Sequence, residues 1–196
     1  HLVNGSGVNI EKFNFVILPK GSINFLCVAR LKGDKGLREY AAAAKIVKKK
    51  FPTVVFNLVG PEETSPDAIS LDEVNSWSNY VNYKGSIKDV RPLIKDAHVF
   101  ILPSYHEGLP RSTLEAMSMG RAVITTNAFG CRETVKNGIN GFIVPVASVD
   151  MLAEKMIWFI EHPEQTEPMG IASRRMVVEK FDVHKVNAKM LDIIAL

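Results

Sequence analysis

Short apolar runs alternate along the chain with longer segments that carry apolar residues at helical spacing. The first apolar run, residues 23–30 (INFLCVAR), is apolar at consecutive positions and predicts a strand that is buried on both faces. The next segment predicts an amphipathic helix over residues 37–51. Its inward face consists of Leu37, Tyr40, Ala44 and Val47.

The same pattern continues to the end of the chain. It predicts further strands at residues 53–60, 80–85, 98–103, 122–126 and 141–145. It predicts further helices at residues 71–77, 90–97, from about Arg111, 151–161, 168–181 and 183–194, and a helical turn at 131–135. Apolar strands separated by helices predict an α/β fold, a Rossmann-like parallel sheet with helices on both faces and right-handed crossovers.

The boundaries follow from where this pattern begins and ends. Residues 1–22 predict no clear element, residues 23–181 form the predicted domain, and residues 182–196 form a C-terminal helix. Because the chain opens on His1 with this unpatterned stretch, we expect it to be a piece of a longer protein that continues before residue 1.

Composition narrows the class of protein. Hydrophobic content of 46% and charged content of 23% are ordinary for a globular domain, and a net charge of +3 is too weak to indicate a nucleic-acid partner. Cys27 and Cys131 lie far apart, and Cys27 falls in an apolar run, so we expect buried free thiols and a reducing, cytoplasmic location. No apolar run approaches the ~18 residues of a membrane span.

Ligands of open α/β sheets bind at the carboxyl ends of the strands. Small and polar residues follow the predicted strands there, at Arg30 with LKGDKG, at Gly60, at Gly85-Ser86-Ile87, at residues 104–110 and at residues 127–132. The sequence therefore predicts a binding site along this edge of the sheet.

The helix that begins at about Arg111 predicts a phosphate site. Pro110 suits the first helical position, and Leu109 has no side-chain oxygen to cap the free N–H groups. Those N–H groups and the positive end of the helix dipole attract a phosphate, and Gly108 lets the backbone approach it closely.

A loop bracketed by glycines carries two candidate phosphate ligands. Arg30 and Lys35 could clamp a diphosphate from one side, through a planar fork and a mobile ammonium. The alternative is that the basic residues of this loop form a solvated charged rim, consisting of Lys32, Lys35 and Arg38.

Two glutamates flank the start of the same helix. Carboxylates accept hydrogen bonds from sugar hydroxyls, so a ligand with a central diphosphate and a sugar at each end would use both Glu107 and Glu115. The alternative is that Glu107 only complements the helix dipole and that Glu115 is a surface residue.

The sequence lacks the motifs of several other kinds of site, namely nucleotide-binding loops, metal sites and serine nucleophiles. The chain has no G-x-x-x-x-G-K-[ST], and GSGVNI (residues 5–10) lacks the third glycine of a dinucleotide fingerprint and follows no strand. No Cys/His cluster has metal-ligand spacing, and Ser104 lacks the G-x-S-x-G setting of a nucleophile. His106 is the only histidine at the predicted site.

The run EGLP (107–110) with EAM (115–117) resembles the E-x7-E signature of retaining glycosyltransferases of family 4, which have the two-domain GT-B fold. The resemblance covers nearly the whole chain. GSGVNIEKF (5–13) is similar to the family's interdomain segment, residues 25–47 to its first strand, phosphate loop and helix, and residues 181–191 to its closing helix. FNLVG (56–60) and residues 83–145 follow the family's order. The runs EGLPR with EAM (107–117) and GCRETV (130–135) resemble bacterial enzymes of surface-polysaccharide and lipid-linked oligosaccharide synthesis.

The resemblance implies that this domain is the donor-binding half of a GT-B enzyme. It implies that Arg30 and Lys35 hold the donor diphosphate, that Glu107 contacts the transferred sugar and that Glu115 binds the ribose. The implied catalytic residues are Glu107, Lys35 and Arg30. The implied donor-binding residues are Arg30, Lys35, Gly60, Ile87, Glu107, Gly108, Leu109, Pro110 and Glu115, with the Ile87 backbone at the base.

The resemblance further implies transfer of a hexose or N-acetylhexosamine, with retention, from a nucleotide diphosphate sugar, expected to be UDP-linked. The acceptor, a glycan or lipid-linked sugar, would bind a preceding domain, so we expect this chain alone to bind nucleotide and to transfer nothing. No cofactor and no essential metal are expected. The alternatives are a nucleotide-sugar-binding module without chemistry and a GT-B relative such as an epimerase or a phosphorylase.

Two features stay open at this point. A basic helix face, at Lys45, Lys48, Lys49 and Lys50, is either solvated or a contact with the cytoplasmic surface of a membrane. Cys131, which follows Gly130 at the same sheet edge, is expected to be a small packing residue near the sugar rather than a nucleophile.

Overall fold

The computed structural model describes Gly5 and residues 7–194. Its centre is a six-stranded parallel sheet with the strand order β3-β2-β1-β4-β5-β6. The strands are β1 (Asn24–Val28), β2 (Val55–Val59), β3 (Asn82–Tyr83), β4 (Val99–Leu102), β5 (Ala122–Thr126) and β6 (Gly141–Val144). All six predicted strands are therefore present, and the predicted parallel sheet is confirmed.

Helices cover both faces of the sheet, as predicted. They are α1 (Leu37–Lys50), α2 (Leu71–Asn75), α3 (Arg91–Asp96), α4 (Arg111–Ser118), α5 (Val149–Glu161), α6 (Thr166–Lys180) and α7 (Val183–Ile194). Helix α1 packs against α5, and α4 packs against α6. The predicted helical turn is a 3-10 helix, Arg132–Thr134.

The predicted inward face of α1 is buried, and it packs on the centre of the sheet. Phe25 of β1 stacks on Phe56 of β2 with ring centroids 5.1 Å apart, and Tyr40 of α1 meets Phe56 edge-on. The Tyr40 hydroxyl donates to the backbone oxygen of Asn57 at 3.0 Å, so the one polar atom that this face buries is satisfied by the sheet.

The strands end earlier than the apolar pattern predicts. Strand β1 stops at Val28, so Ala29 and Arg30 leave the sheet at its carboxyl edge. Strand β3 has two residues and not six, because it lies at the edge of the sheet and pairs only with β2.

Two helices begin earlier than the pattern predicts. Helix α5 begins at Val149 and not at residue 151, and α6 begins at Thr166 and not at residue 168.

The prediction for Pro110 is wrong by one position. Pro110 is the N-cap of α4 and not its first helical residue, because its ψ of 107° is extended, and Arg111 is the first helical residue. No side chain caps this helix end, as the absence of a capping oxygen at Leu109 and Pro110 requires. The N-terminal N–H groups of α4 therefore lack a side-chain cap.

The segment before β1, residues 10–19, lies against the rest of the domain. Arg174 Nη1 donates to the backbone oxygens of Ile10 and Phe13 at 3.2 and 3.1 Å. Further along, the buried Arg121 guanidinium donates to the Val16 oxygen. His98 Nε2 lies 3.0 Å from the Pro19 oxygen. Side chains of the domain thus hold residues 10–19 by their carbonyl groups. The division into residues 1–22, 23–181 and 182–196 stays a prediction.

Candidate functional site

A cavity of about 330 Å³ lies where β1 and β4 end and α4 begins. Five of the predicted site residues line it: Arg30, Lys35, Glu107, Leu109 and Pro110. The other lining residues are Val28, Ala29, Leu102, Arg111 and Ser112. The sequence therefore located the cavity, which adjacent strands build from residues that are far apart in the chain.

Both predicted phosphate ligands are paired with carboxylates. Lys35 Nζ lies 2.9 Å from Glu107 Oε1, and the two side chains are only 13% and 18% exposed. Arg30 Nη1 lies 2.6 Å from Glu63 Oε2, with the Arg30 side chain 58% exposed. Lys35 is therefore an enclosed cavity residue and not part of a solvated rim.

The other two basic residues of this loop do fit the alternative of a charged rim. Lys32 Nζ lies 2.7 Å from Asp34 Oδ2, and Arg38 makes a bidentate contact with Glu73, with its Nε at 2.6 Å and its Nη2 at 2.9 Å. These acidic partners raise the pKa of Lys32 and of Arg38, chiefly through the hydrogen bonds themselves. Neither residue lines the cavity.

Backbone hydrogen bonds join the loops that carry Lys35 and Glu107. The Tyr105 N–H donates to the Asp34 oxygen at 2.8 Å, and the Ser104 hydroxyl donates to the same oxygen at 3.1 Å. The Glu107 N–H in turn donates to the Phe129 oxygen at 3.1 Å. The loops after β1, β4 and β5 are therefore fixed to one another, which holds the Lys35–Glu107 pair in place.

Gly130 permits a close approach between the loops after β4 and β5. Its φ is +78°, and a Cβ at this position would overlap the backbone oxygens of Glu107 and Gly108. Only glycine combines that conformation with that contact at no steric cost. The loop after β5 thereby packs directly under the backbone that carries the Glu107 side chain.

Gly60 and Ile87 lie on the β2–β3 side of Arg30. A Cβ on Gly60 would overlap the Ala29 oxygen, and the Gly60 N–H donates to the Gly85 oxygen at 3.0 Å. Gly60 thus connects the Arg30 turn with the loop that leads to Ile87. Ile87 itself is 37% exposed and is not among the residues that line the Lys35 cavity.

Glu115 faces a second cavity, also of about 330 Å³. Its walls are Gly7, Val8, Asn9, Lys12, Phe13, Arg111, Glu115 and Val183. Burial raises the pKa of the Glu115 carboxyl above its ordinary 4.5, and the charges of Arg111 and Lys12 oppose that rise. Glu115 is therefore a half-buried cavity residue, contrary to the alternative that it belongs to the surface.

Arg111 lines both cavities. Glu107 lines the first of them and Glu115 the second. The two glutamates are therefore not neighbours in one pocket, as contact with a single small ligand would require. A ligand that reaches both glutamates has to be elongated and has to pass the Arg111 end of α4, where the uncapped N–H groups and the guanidinium favour negative charge.

Comparison with known proteins decides the family. A sequence profile described as "Glycosyl transferases group 1" matches residues 9–176, which includes the residues predicted to bind the donor. The chain belongs to the glycosyl transferases group 1 family. This confirms the predicted glycosyltransferase class.

Two curated relatives of this glycosyl transferases group 1 chain are bacterial proteins. It is 34% identical, over 69% of its length and 35% of the relative, to N,N'-diacetylbacillosaminyl-diphospho-undecaprenol alpha-1,3-N-acetylgalactosaminyltransferase from Campylobacter jejuni. It is 28% identical, over 96% of its length and 52% of the relative, to UDP-Gal:alpha-D-GlcNAc-diphosphoundecaprenol alpha-1,3-galactosyltransferase from Escherichia coli. The chain thus spans between a third and about half of the length of these two relatives.

The fold of the group 1 domain also matches solved structures. The Anabaena protein Alr3699/HepE, in complex with UDP, superposes with a TM-score of 0.85 at 21% identity, over 96% of this chain and 56% of that one. The match confirms the predicted fold, one half of a GT-B enzyme, since a single domain aligns with about half of the neighbour.

Cys131 and His106 also lie near the Lys35 cavity, and both pack against neighbouring residues. Cys131 is fully buried, and burial raises the pKa of its thiol while hydrogen bonds with Thr125 and Thr126 oppose the rise. A buried, protonated thiol fits the predicted packing role and not that of a nucleophile. The His106 ring stacks on Phe129 with centroids 6.2 Å apart.

The described part of the group 1 domain contains neither a metal-binding cluster nor a helix that could span a membrane. Among Gly5 and residues 7–194, no group of three or more His, Cys, Asp or Glu side chains is placed to hold a metal ion. In the same described part of the chain, every helix is either too short or too polar to cross a membrane.

Sequence reasoning missed three residues of the site: Glu63, Arg111 and Lys12. Arg111 had a usable signal, because it stands four residues before Glu115 and therefore on the same side of α4. Glu63 and Lys12 come from other loops, and nothing in their local sequence singles out their contacts with the site.

Proposed function

We propose that this domain binds the nucleotide diphosphate sugar donor of a retaining, family 4 glycosyltransferase with the E-x7-E signature. The observation that carries the proposal is the pair of cavities that both have Arg111 in their walls, with the Lys35–Glu107 pair in one and Glu115 in the other. An elongated ligand with a charged centre and a hydroxyl-rich group at each end fits this arrangement.

Each part of the donor then has a place. The diphosphate binds at the N-terminus of α4 between Arg30 and Lys35, beside the Gly108 and Leu109 backbone and Pro110. The transferred sugar lies on Glu107, the ribose lies on Glu115, and the base extends to the Ile87 backbone past Gly60. Two cations and a helix N-terminus supply the positive charge, and the proposal includes no metal or other cofactor.

The same groups account for the chemistry. Departure of the nucleoside diphosphate from the anomeric carbon leaves negative charge on the diphosphate, and Arg30 and Lys35 stabilise that charge in an oxocarbenium-like transition state. The acceptor hydroxyl attacks the face that the leaving group vacates and gives its proton to the departing diphosphate oxygen, so the bond from the anomeric carbon to the diphosphate breaks, the glycosidic bond forms and the configuration is retained. Retention from an α-configured donor gives an α linkage, which both curated relatives carry in their names.

The relatives' names also suggest the substrates. One is a UDP-Gal-dependent galactosyltransferase and the other an N-acetylgalactosaminyltransferase, and both act on diphosphoundecaprenol-linked sugars. We therefore propose a UDP-linked hexose or N-acetylhexosamine as donor and a glycan or lipid-linked sugar as acceptor. The acceptor would bind a partner domain in a longer chain, at the cytoplasmic face of the membrane, and this domain alone would bind nucleotide without transferring sugar.

Calorimetric titration with UDP, GDP and ADP tests the proposal. We expect one nucleotide, UDP, to bind the wild type, and the Arg30→Ala, Lys35→Ala double variant to bind it at least about tenfold more weakly, since charge-assisted hydrogen bonds each contribute about 1.5–3 kcal/mol. Lys45→Ala, Lys49→Ala is the matched control, because both side chains are exposed on α1 and the change in charge is the same. Equal binding by both double variants, or no binding by the wild type at millimolar concentration, would overturn it.

A further inference from the structure

Glu63 lies outside the predicted site and contacts one of its cations, Arg30, directly. Its Oε2 lies 2.6 Å from Arg30 Nη1. Its Oε1 accepts a hydrogen bond from the Thr64 N–H at 3.2 Å. The carboxylate is therefore oriented by its own backbone and presents one oxygen to the guanidinium, with only 19% of the side chain exposed.

The backbone builds this contact into the fold. Beyond the end of β1, the Ala29 N–H donates to the Val59 oxygen and the Leu31 N–H to the Pro61 oxygen, both at 2.9 Å. The turn that carries Arg30 and the loop that carries Glu63 therefore continue the parallel pairing of β1 with β2. The close approach of Gly60 to Ala29 fixes the spacing between them.

A carboxylate oxygen on a guanidinium stands where a phosphate oxygen would bind. Both anions accept the same charge-assisted N–H···O hydrogen bonds from arginine. A donor phosphate that came within reach of Arg30 Nη1 would also come within a few ångströms of the Glu63 carboxylate, and the two negative charges would repel. Glu63 and the phosphate therefore compete for the same donor group.

We propose that Glu63 is an internal competitor of the donor diphosphate, which leaves Arg30 when a phosphate oxygen takes its place. The inference rests on the proposed function of the Lys35 cavity and names the residue that limits affinity there. Since Glu107 pairs with Lys35 in the same way, Arg30 and Lys35 are both neutralised within the chain. A monoanion can exchange with one carboxylate, whereas a diphosphate reaches both cations, so the arrangement selects for a diphosphate and favours release of the spent nucleotide.

The test compares Glu63→Gln with Glu62→Gln in calorimetric titrations with UDP and with uridine. Glu62 is the neighbouring exposed carboxylate, so its variant removes the same charge from the same loop and leaves the Arg30 contact intact. We expect Glu63→Gln to bind UDP about 3- to 10-fold more tightly, as the loss of a partly exposed ion pair allows, and Glu62→Gln to change the affinity less than about twofold. Uridine, which has no phosphate, should bind all three proteins alike.

A second comparison shows whether the gain acts through Arg30. The gain in UDP affinity from Glu63→Gln should be smaller in the Arg30→Ala background than in the wild type, because without Arg30 only the repulsion between the carboxylate and the phosphate is relieved. If the wild type binds UDP and Glu63→Gln binds it no more tightly than Glu62→Gln, the inference is wrong and the proposed function stands. If neither the wild type nor Glu63→Gln binds UDP, the proposed function of this cavity fails and the inference fails with it.

Discussion

The Lys35 ammonium and the Glu107 carboxylate lie 2.9 Å apart, although 72 residues separate them in the chain. Strand order brings them together, because β4 pairs with β1 after the chain has passed through β2 and β3 on the other side. The pair therefore stands at the point between β1 and β4 where the strand order reverses, the position at which open α/β sheets bind ligands.

Glu107→Gln should separate sugar binding from nucleotide binding. The variant loses the charged acceptor for the sugar hydroxyls, so we expect UDP-galactose to bind about tenfold more weakly or worse. UDP itself should bind as well as before or more tightly, because Lys35 loses the carboxylate that competes for it. The ratio of the two dissociation constants, measured by calorimetry, is the readout. An equal loss for both ligands would show that Glu107 does not act on the sugar.

Glu115→Gln should stabilise the protein at pH 7. Burial raises the pKa of Glu115 in the folded state, so the ionised carboxylate costs stability above its folded pKa, and the cost disappears as the pH falls and the folded state takes up a proton. Thermal unfolding of both proteins should therefore show a higher midpoint for the variant at pH 7 and a difference that shrinks towards pH 4. A variant that is less stable at pH 7 would contradict this.

Gly130→Ala should damage the fold much more than Gly138→Ala. Both glycines have positive φ, +78° and +76°, but a Cβ on Gly138 meets nothing within 4 Å, whereas one on Gly130 overlaps the Glu107 and Gly108 oxygens. We expect a loss of about 1–2 kcal/mol for Gly138→Ala from the left-handed conformation alone. Gly130→Ala should cost about 3 kcal/mol or more, because overpacking adds to the conformational cost.

Urea unfolding of the two glycine variants gives both free energies directly. Similar losses for the two would show that the loop after β5 yields easily, and the packing under Glu107 would then not position its side chain.

His98 should make stability depend on pH. Its Nδ1 accepts the Asn24 N–H at 3.1 Å, which requires the neutral ring, and burial lowers its pKa below the ordinary 6.5. The unfolded chain therefore takes up the proton first, and stability that is complete above pH 6.5 is lost as the pH falls below it. Compared with His98→Asn, the wild type should lose more unfolding free energy between pH 7 and pH 5. Parallel pH profiles for the two proteins would refute this role.

The sequence predicted the fold well because its signals are local. Consecutive apolar residues such as Phe25 to Val28 are typical of a strand covered on both faces, and the spacing of apolar residues in α1 indicates which face is turned inward. Ligands of open α/β sheets bind at the carboxyl ends of the strands, and this rule predicted one site for Arg30, Lys35 and Glu107 although the strand order was not known. The three residues do line one cavity.

What the sequence left open depends on contacts between distant loops. Glu63 pairs with Arg30 because Pro61 continues the β2 pairing past the end of β1, and Lys12 reaches the Glu115 cavity because Arg174 holds its segment by two carbonyl groups. Neither contact has a local pattern. The helix start was displaced by one residue because proline satisfies both the N-cap and the first helical position, and only the backbone angle distinguishes them.

A crystal structure of this protein with UDP tests the central claim most directly. The account predicts phosphate oxygens within hydrogen-bond distance of Lys35 and Arg30 at the N-terminus of α4, and ribose hydroxyls on the Glu115 carboxylate, so that the nucleotide passes Arg111 between the two cavities. UDP bound elsewhere, or bound in the Lys35 cavity with its ribose away from Glu115, would contradict the claim that one donor occupies both sites.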